Sequence, residues 1–492
     1  MNNFPAITAD NNHTALIAGD VQVSYSELRA RIESMASGLL AGKADLNEER
    51  VAFFMPASPD YVVTIHGIWR AGGIAVPLNI ASAPAELEHV LTTAGVDRIL
   101  VHEEKREILV ALADRLGITL SSPEKLLADK PAQLPSLDPD RRAMMLFTSG
   151  TTNKPKGVVT THRNIVAQIT TLIDAWHWTD ADVIPLFLPM HHVHGIINVL
   201  GCGLWAGATV HLFEKFDMQV IAGGVALHRF NLFMAVPTVY VKLIQHLESI
   251  DETQAKDICE GFGAMRLNIS GSAACPVKLF NHWQALTGQV LLERYGMTEI
   301  GMAISNPYEG ERRAGHVGQP LPGVTIGLFD ENDQMVTEEN TPGEIRIKGE
   351  NVFLEYWNNE KATVESFRDD WFCSGDVAVI EDGYYRIMGR SSIDIIKSGG
   401  YKLSALEIEG TLLTHDAVAE VAVIGVEDDT WGEAVSAFVV LNPGKCLDLM
   451  TLKSWCQDRM SSYKIPKHLH VLESLPRNAM GKVTKPELRK IA

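Results

Sequence analysis

Long apolar runs are missing from this 492-residue chain. A helix that spans a bilayer needs about 20 consecutive apolar residues, so no transmembrane segment is expected. Cysteine is scarce as well, with six residues at 202, 259, 275, 373, 446 and 456, no Cys-x-x-Cys pair and no His/Cys ligand spacing. That pattern argues against a disulfide scaffold and a zinc ribbon, and suits reduced side chains in the cytosol. Positive charge is short too. Lys and Arg number 43 against 61 Asp and Glu, a formal net charge of −18, which offers nucleic acid and anionic membranes no bulk attraction. The first residues, MNNFPAITADNNHT, lack the positive and apolar regions of a signal peptide and the Arg-rich character of a presequence. A cytoplasmic protein is expected. No fixed-period repeat or low-complexity tract is found. Against such acidity, any site for a small anion must build its positive charge locally.

What is present is α/β grammar. The length exceeds one ordinary domain, so two or more units are expected. Ser24 and Glu27 have capping-box spacing ahead of a helical pattern that reaches about Leu40. Strands are predicted over 51–55, 74–77 and 99–102, with helices over 59–71 and 85–94, and a Pro/Asp/Ser-containing connector over 121–142. A strand over 144–147 precedes a polar loop and a helix carrying Ile165, Ile169, Leu172 and Trp176. Further strands are predicted over 183–188, 232–236 and 267–269, and a helix over 276–286 closed by Gly288. Alternation of this kind implies parallel sheets covered by helices. Four polar, Gly-bearing segments follow predicted strands, where such sheets gather ligands. Beyond about Arg390 the style changes. Strands over 420–426 and 434–441, with helices over 406–413 and 450–460, suggest a small α+β domain of about a hundred residues.

The most informative segment is Thr148, Ser149, Gly150, Thr151, Thr152, Asn153, Lys154, Pro155, Lys156 and Gly157. It sets hydroxyls, exposed backbone N–H groups and two lysines directly after a strand, which is what a polyphosphate needs. It is not a Walker loop, because Pro155 stands where Gly-Lys-Ser/Thr is required. A turn of Ser, Thr and Gly alone would read as solvated surface; both lysines and the later motifs argue otherwise. These are SGSAA (270–274), RYGMTE (294–299), WFCSGDVA (371–378), GYYRIMGR (383–390), IIKSGGYKLSALEIE (395–409) and LPRNAMGKVTK (475–485).

In this order the motifs resemble those of the adenylate-forming superfamily, which includes acyl-CoA synthetases, luciferases and peptide-synthetase adenylation domains. The likeness covers essentially the whole chain. It implies a large N-terminal adenylate-forming α/β body with parallel sheets (1–390) and a small mobile α+β C-terminal lid (391–492). It also implies ATP, Mg2+ and coenzyme A as the small molecules used. The phosphate loop would include Thr148, Ser149, Gly150, Thr151, Thr152 and Lys156. Tyr295 offers a flat face to adenine, with Gly271, Ser272 and Ala273 able to approach the other face. Thr298 would donate to the α-phosphate and Glu299 would hold the metal. Asp376 and Arg390 would take the ribose, and Lys482 would stabilise charge as the acid attacks the α-phosphorus. The lid would turn about a hinge near Ser391, Ser392 and Asp394, bringing the Gly399-Gly400 loop in place of Lys482 for thioester formation.

The acid is read from PMHHVHG (189–195) and Arg294. The resemblance puts His192 beside the reacting carboxylate and His194 on the pocket wall. Three histidines in four residues suggest zinc, but no further Cys/His cluster supports it, and a hydrogen-bonded core histidine is the plainer reading of any one of them. Arg294 directly precedes Tyr295. A buried unpaired guanidinium is costly, and a second carboxylate on the substrate removes that cost by bidentate pairing. The run from Leu291 to Val324 and the pair Trp431-Gly432 are similar to the malonyl-CoA synthetases within the superfamily. Malonate is therefore the expected acid, with Arg294, His194, His192 and Ser272 around its carboxylates. Lys242, Arg266 and Arg313 are further cationic candidates. The alternatives are ligation of methylmalonate or a short monoacid, transfer to a carrier protein, a luciferase-like oxygenase, and a non-catalytic nucleotide-binding regulator. The regulator would have been favoured by loss of Lys482 or Glu299, and both are present.

Overall fold

The computed structural model describes residues 4–9, 11–127, 132–148, 155–391, 393–398, 401–428, 431–477 and 483–492. Many of the predicted elements fall within two residues of their expected bounds, for local reasons. Ser24 accepts from the Glu27 backbone N–H and caps the helix Tyr25–Leu40, while the Glu27 carboxylate accepts from Ser24 N–H at 2.8 Å. Ser58 caps Pro59–Arg70, whose proline sits in the first turn where its missing N–H costs nothing. Gly288 ends Val277–Thr287 in the left-handed region (φ 76°). The helix expected over 450–460 is shorter. It spans Leu449–Cys456 and decays into turns in which Arg459 and Met460 N–H both donate to Cys456 O.

Among the described residues the strands form five sheets. The largest orders Glu355–Tyr356, Lys156–Thr161, Arg142–Thr148, Ile74–Pro77, Arg50–Phe54, Arg98–Val101 and Thr119–Ser121. Its last five strands are parallel and its first two antiparallel. A second orders Leu232–Ala235, Leu267–Ser270, Leu292–Met297, Gly301–Ser305 and Gln319–Pro320, parallel over the first three. A third pairs Val183–Leu186, Thr209–Leu212 and Thr14–Ala18 in parallel, with Val21–Ser24 antiparallel at the edge. The expectation of parallel sheets thus holds at the centres and is corrected at the edges. The reason is loop length. A parallel return takes a dozen or more residues, whereas the strand Arg142–Thr148 turns back into Lys156–Thr161 across only the segment 149–155.

Between these sheets and the C-terminal region lies an antiparallel sheet built on Thr325–Phe329, Gly343–Lys348, Trp371–Glu381 and Tyr384–Arg390. The C-terminal sheet orders Tyr401–Ser404, Ile395–Ser398, Gly432–Leu441 and Val418–Asp428, with His468–Val471 parallel to Gly432–Leu441. Strand alternation gives it two cores. Val423 packs with Ile396, Leu403 and Leu412 on one face, while Ala422 and Ile424 pack with Phe438, Leu475 and Leu488 on the other. No helix among the described residues is long and apolar enough to cross a membrane.

Candidate active site

Three of the four Gly-bearing segments do follow strands: Arg142–Thr148, Val183–Leu186 and Leu267–Ser270. The fourth is corrected. Arg294, Tyr295, Gly296 and Met297 lie inside the strand Leu292–Met297, with a register shift at Tyr295/Gly296. Arg294 and Tyr295 therefore point to opposite faces of one strand. One face is that of the acyl-side candidates and the other that of the nucleotide-side candidates.

On the nucleotide side, Thr148 pairs across the ladder with Lys156, so the two stand opposite each other where the phosphate loop leaves and rejoins the sheet. Ser149, Gly150, Thr151 and Thr152 lie outside the described residues. The Lys156 ammonium sits 4.5 Å from the Tyr356 ring centre, and Tyr356 OH donates to Glu299 Oε1 at 2.8 Å. Glu299 is buried, and burial raises its pKa against the Tyr356 bond and the charges of Arg390 and Lys156. Thr298, half-buried, adjoins it. Tyr295 OH donates to Asp376 Oδ2 at 2.6 Å, and Arg390 Nε lies 3.2 Å from Asp376 Oδ1. Asp376 and Arg390 are direct cross-strand partners, which explains how two distant motifs meet. Burial raises the Asp376 carboxyl, opposed chiefly by Arg390.

These residues fit a magnesium ion that arrives with a polyphosphate. Mg2+ is commonly held by one or two carboxylates together with substrate phosphates and water. Glu299 is a single buried carboxylate, and among the described residues no cluster of three His, Cys, Asp or Glu side chains forms a cage.

The acyl-side candidates Arg294, His194 and Ser272 are brought together. His194 opens a π-helix, His194–Gly201, and its Nδ1 lies 3.1 Å from Ser272 Oγ. Ser272 is held in the left-handed region (φ 66°) and is exposed, while His194 and Arg294 are 5% and 4% exposed. Gly271 explains how the arginine fits: a Cβ there would lie 2.5 Å from both Arg294 Cζ and Nη1. Among the described residues the guanidinium has no hydrogen-bond partner at Nε or Nη2, and His194 has none at Nε2. Burial pulls Arg294 down to about 10. Burial, with the Arg294 charge nearby, holds His194 far below the ordinary imidazole range, so its ring is neutral. Buried polar atoms in folded proteins are nearly always paired. A cation and an imidazole left open together, beneath an exposed hydroxyl, make a site for an anion. His192 is half-buried, with its ring 4.2 Å from His191.

Other candidates go elsewhere. Arg266 is corrected: it forks onto Asp182 at 2.7 and 2.6 Å and is a structural cation. Arg313 is corrected too, lying over the Tyr384 ring at 4.1 Å and beside Glu311 at 3.1 Å. Lys242 is exposed on the helix Pro237–Ser249. Lys482, Ser392, Gly399 and Gly400 lie outside the described residues, and Ser391 is exposed. The segment that carries Lys482 is closed at its base by the Arg477↔Val483 bridge and by Thr484 N–H donating to Pro476 O at 2.8 Å. Asp394 accepts from Arg390 N–H at 3.0 Å and pairs with Lys485 at 2.5 Å; Lys485 also meets Glu409 at 2.7 Å. Sequence reasoning missed Lys485 and Tyr356. Tyr356 lies 57 residues from Glu299 and belongs to no local pattern.

Glu293, next to Arg294 but on the opposite face, yields a stability prediction. Its Oε1 accepts from Cys275 N–H at 3.1 Å, yet burial pushes its carboxyl from 4.5 up to about 8. Below 4.5 both folded and unfolded chains are protonated there. Between the two values only the folded chain keeps the proton, so stability declines as pH rises, and above 8 the loss is complete. Glu293→Gln is expected to flatten the fall in Tm between about pH 5 and 8 and to raise Tm at the alkaline end. Equal slopes for both proteins would mean that Glu293 is ionised throughout.

Residues 6–357 match the AMP-binding enzyme family and residues 407–482 the AMP-binding enzyme C-terminal domain. The chain belongs to the AMP-binding enzymes. It is 41% identical to the mitochondrial malonate–CoA ligase ACSF3 of Xenopus laevis, over 97% of this chain and 89% of that protein. It is 40% identical to the Homo sapiens counterpart, over 99% and 91%. Among solved structures, ATP-bound MatB from Rhodopseudomonas palustris superposes with a TM-score of 0.89 at 34% identity, covering 99% of this chain and 98% of that one.

Proposed function

We propose that this enzyme is an ATP-dependent malonate–CoA ligase with a body over 1–390 and a lid over 391–492. The observation that carries the substrate is the buried, unpaired Arg294 guanidinium beside neutral His194 and exposed Ser272. Malonate supplies the missing partner: one carboxylate pairs with Arg294 and the other reacts. Relatives of similar length named as malonate–CoA ligases support the same reading.

In the first half-reaction a malonate carboxylate oxygen attacks the α-phosphorus of ATP and pyrophosphate leaves. Thr148, Ser149, Gly150, Thr151, Thr152 and Lys156 hold the phosphates, and Tyr295, Gly271, Ser272 and Ala273 flank adenine. Asp376 exchanges its Tyr295 and Arg390 bonds for ribose hydroxyls. Thr298 donates to the α-phosphate and Lys482 stabilises charge on it. Glu299 would hold Mg2+, which would supply neutralisation of phosphate charge. His192 sits at the reacting carboxylate. In the second half-reaction the CoA thiol attacks the acyl carbon and AMP leaves. The lid turns about Ser391, Ser392 and Asp394, and the Gly399-Gly400 loop replaces Lys482. The participants are small molecules, with no role for nucleic acid. Six free cysteines suit a reducing compartment, and we place the protein in the cytoplasm. Because relatives are named mitochondrial, fractionation of tagged protein tests that placement.

The deciding assay is pyrophosphate release across mono- and dicarboxylic acids, with and without CoA. Malonate should lead by at least about tenfold in kcat/KM. Equal use of propionate would end the dicarboxylate reading. Glu299→Gln should raise the Mg2+ concentration for half-maximal rate more than it raises KM for malonate, because charge is removed at constant size. Unchanged Mg2+ dependence would take Glu299 out of the metal site.

A further inference from the structure

Asn198 is the one polar side chain in the otherwise apolar run of the π-helix His194–Gly201 after His194 itself. It is fully buried, and neither its Nδ2 nor its Oδ1 has a hydrogen-bond partner among the described residues. Its neighbours Ile196, Ile197, Val199 and Leu200 are also buried. Leucine would therefore pack in its place without leaving a polar group unpaired. An amide at such a position calls for a partner that the protein itself does not supply.

Helix geometry says where that partner lies. With i→i+5 hydrogen bonding, a residue four positions on returns close to the same face, and one seven positions on lies roughly opposite. Gly201, seven after His194, is packed on the helix His162–Trp176, where a Cβ would lie 3.0 Å from Ile169 Cδ1. The opposite face carries His194, which meets Ser272, and next to it Asn198. Asn198 thus shares the His194 face of the helix, and like His194 Nε2 and the Arg294 guanidinium it is left without a hydrogen-bond partner among the described residues.

We propose that Asn198 is a specificity-determining residue of the acyl pocket, and that its Nδ2–H donates to the distal carboxylate paired with Arg294. A carboxylate offers about four lone-pair sites, so bidentate Arg294 leaves room for the amide. Oδ1 is left for one of the five guanidinium N–H donors. An acid without a distal carboxylate leaves Asn198 unpaired, so the residue selects against monoacids as well as for malonate. The assignment rests on the malonate reading and refines it.

The test compares Asn198→Leu and Asn198→Asp with wild type in the full-length enzyme, using malonate and propionate at saturating MgATP, with Tm as the control for folding. Leucine keeps the branched shape and the number of heavy atoms and removes the donor. It should lower malonate kcat/KM by about tenfold, mostly through KM, and leave propionate unchanged or improved. Aspartate places a carboxylate against the substrate's own and should lower malonate further while propionate changes little. Parallel losses for both acids, or a malonate constant untouched by leucine, overturn the assignment while the malonate reading stands. A wild-type enzyme that does not distinguish malonate from propionate overturns both. If the leucine variant has a collapsed Tm, the aspartate variant decides on the same criteria.

Discussion

Alanine at Lys482 is expected to cut ATP-dependent adenylate formation by about a hundred- to a thousandfold, the range typical of removing one positioned charge-stabilising donor. Thioester formation from pre-made malonyl-adenylate and CoA should stay within a few-fold of wild type. The asymmetry follows from the chemistry. In the first step negative charge builds on the α-phosphoryl oxygens as the carboxylate attacks, and a nearby ammonium stabilises that charge. In the second step the thiol attacks the acyl carbon, and the charge grows elsewhere. The base of the segment is held by the Arg477↔Val483 bridge and the Thr484–Pro476 hydrogen bond. Beyond it, half-buried Lys485 is held between Asp394 and Glu409. The substitution at 482 leaves these fastenings intact, so the lid should keep its Tm. Equal loss in both half-reactions would show that Lys482 supports the lid as a whole.

The candidate nucleotide side could be proposed from the sequence because its chemistry is local. A run of hydroxyls, glycines and lysines after a strand carries its meaning in ten residues, and the capping box at Ser24 and Glu27 fixes a helix start in four. Contacts between distant segments were not legible. Asp376 meets Arg390 because two antiparallel strands set them opposite each other, and it meets Tyr295 across 81 residues. Arg266 read as a candidate for the substrate because its partner Asp182 is 84 residues away. The strand Lys156–Thr161 has no signal in a sequence that reads as a polar loop there, although it is what places Lys156 opposite Thr148.

The acyl side was half legible. Arg294 beside Tyr295 was suggestive, but a strand could have turned it to either face. What identifies the site is burial without a partner, a property of three dimensions alone. The same holds for Asn198, where apolar neighbours in sequence gave no hint that its amide would be left open. A π-helix moves side chains off the 3.6-residue period, so a periodicity argument over 194–201 assigns faces wrongly.

Arg294→Ala should lower malonate kcat/KM by at least about a hundredfold. A charge-assisted hydrogen bond contributes about 1.5–3 kcal/mol, and a bidentate pair in a buried site stands at or above the top of that range. At about 1.4 kcal/mol per decade, that is two powers of ten or more. Propionate should lose far less, because it presents nothing to the guanidinium, and removing an unpaired buried charge favours an apolar acyl group. Arg294→Lys should fall between, keeping charge without the planar fork. Gly271→Ala probes the same contact, with KM for ATP as its control because Gly271 also flanks adenine. Its Cβ would drive into the guanidinium, so it should lower malonate activity with Arg294 still in the sequence. The rival account is that Arg294 braces the strand carrying Tyr295 and Glu299. Bracing predicts that every acid declines together and that KM for ATP rises with them. Substrate pairing predicts that malonate alone falls while KM for ATP stays near wild type. Measuring malonate and propionate side by side at fixed MgATP separates the two, and parallel losses would remove Arg294 from the acyl pocket.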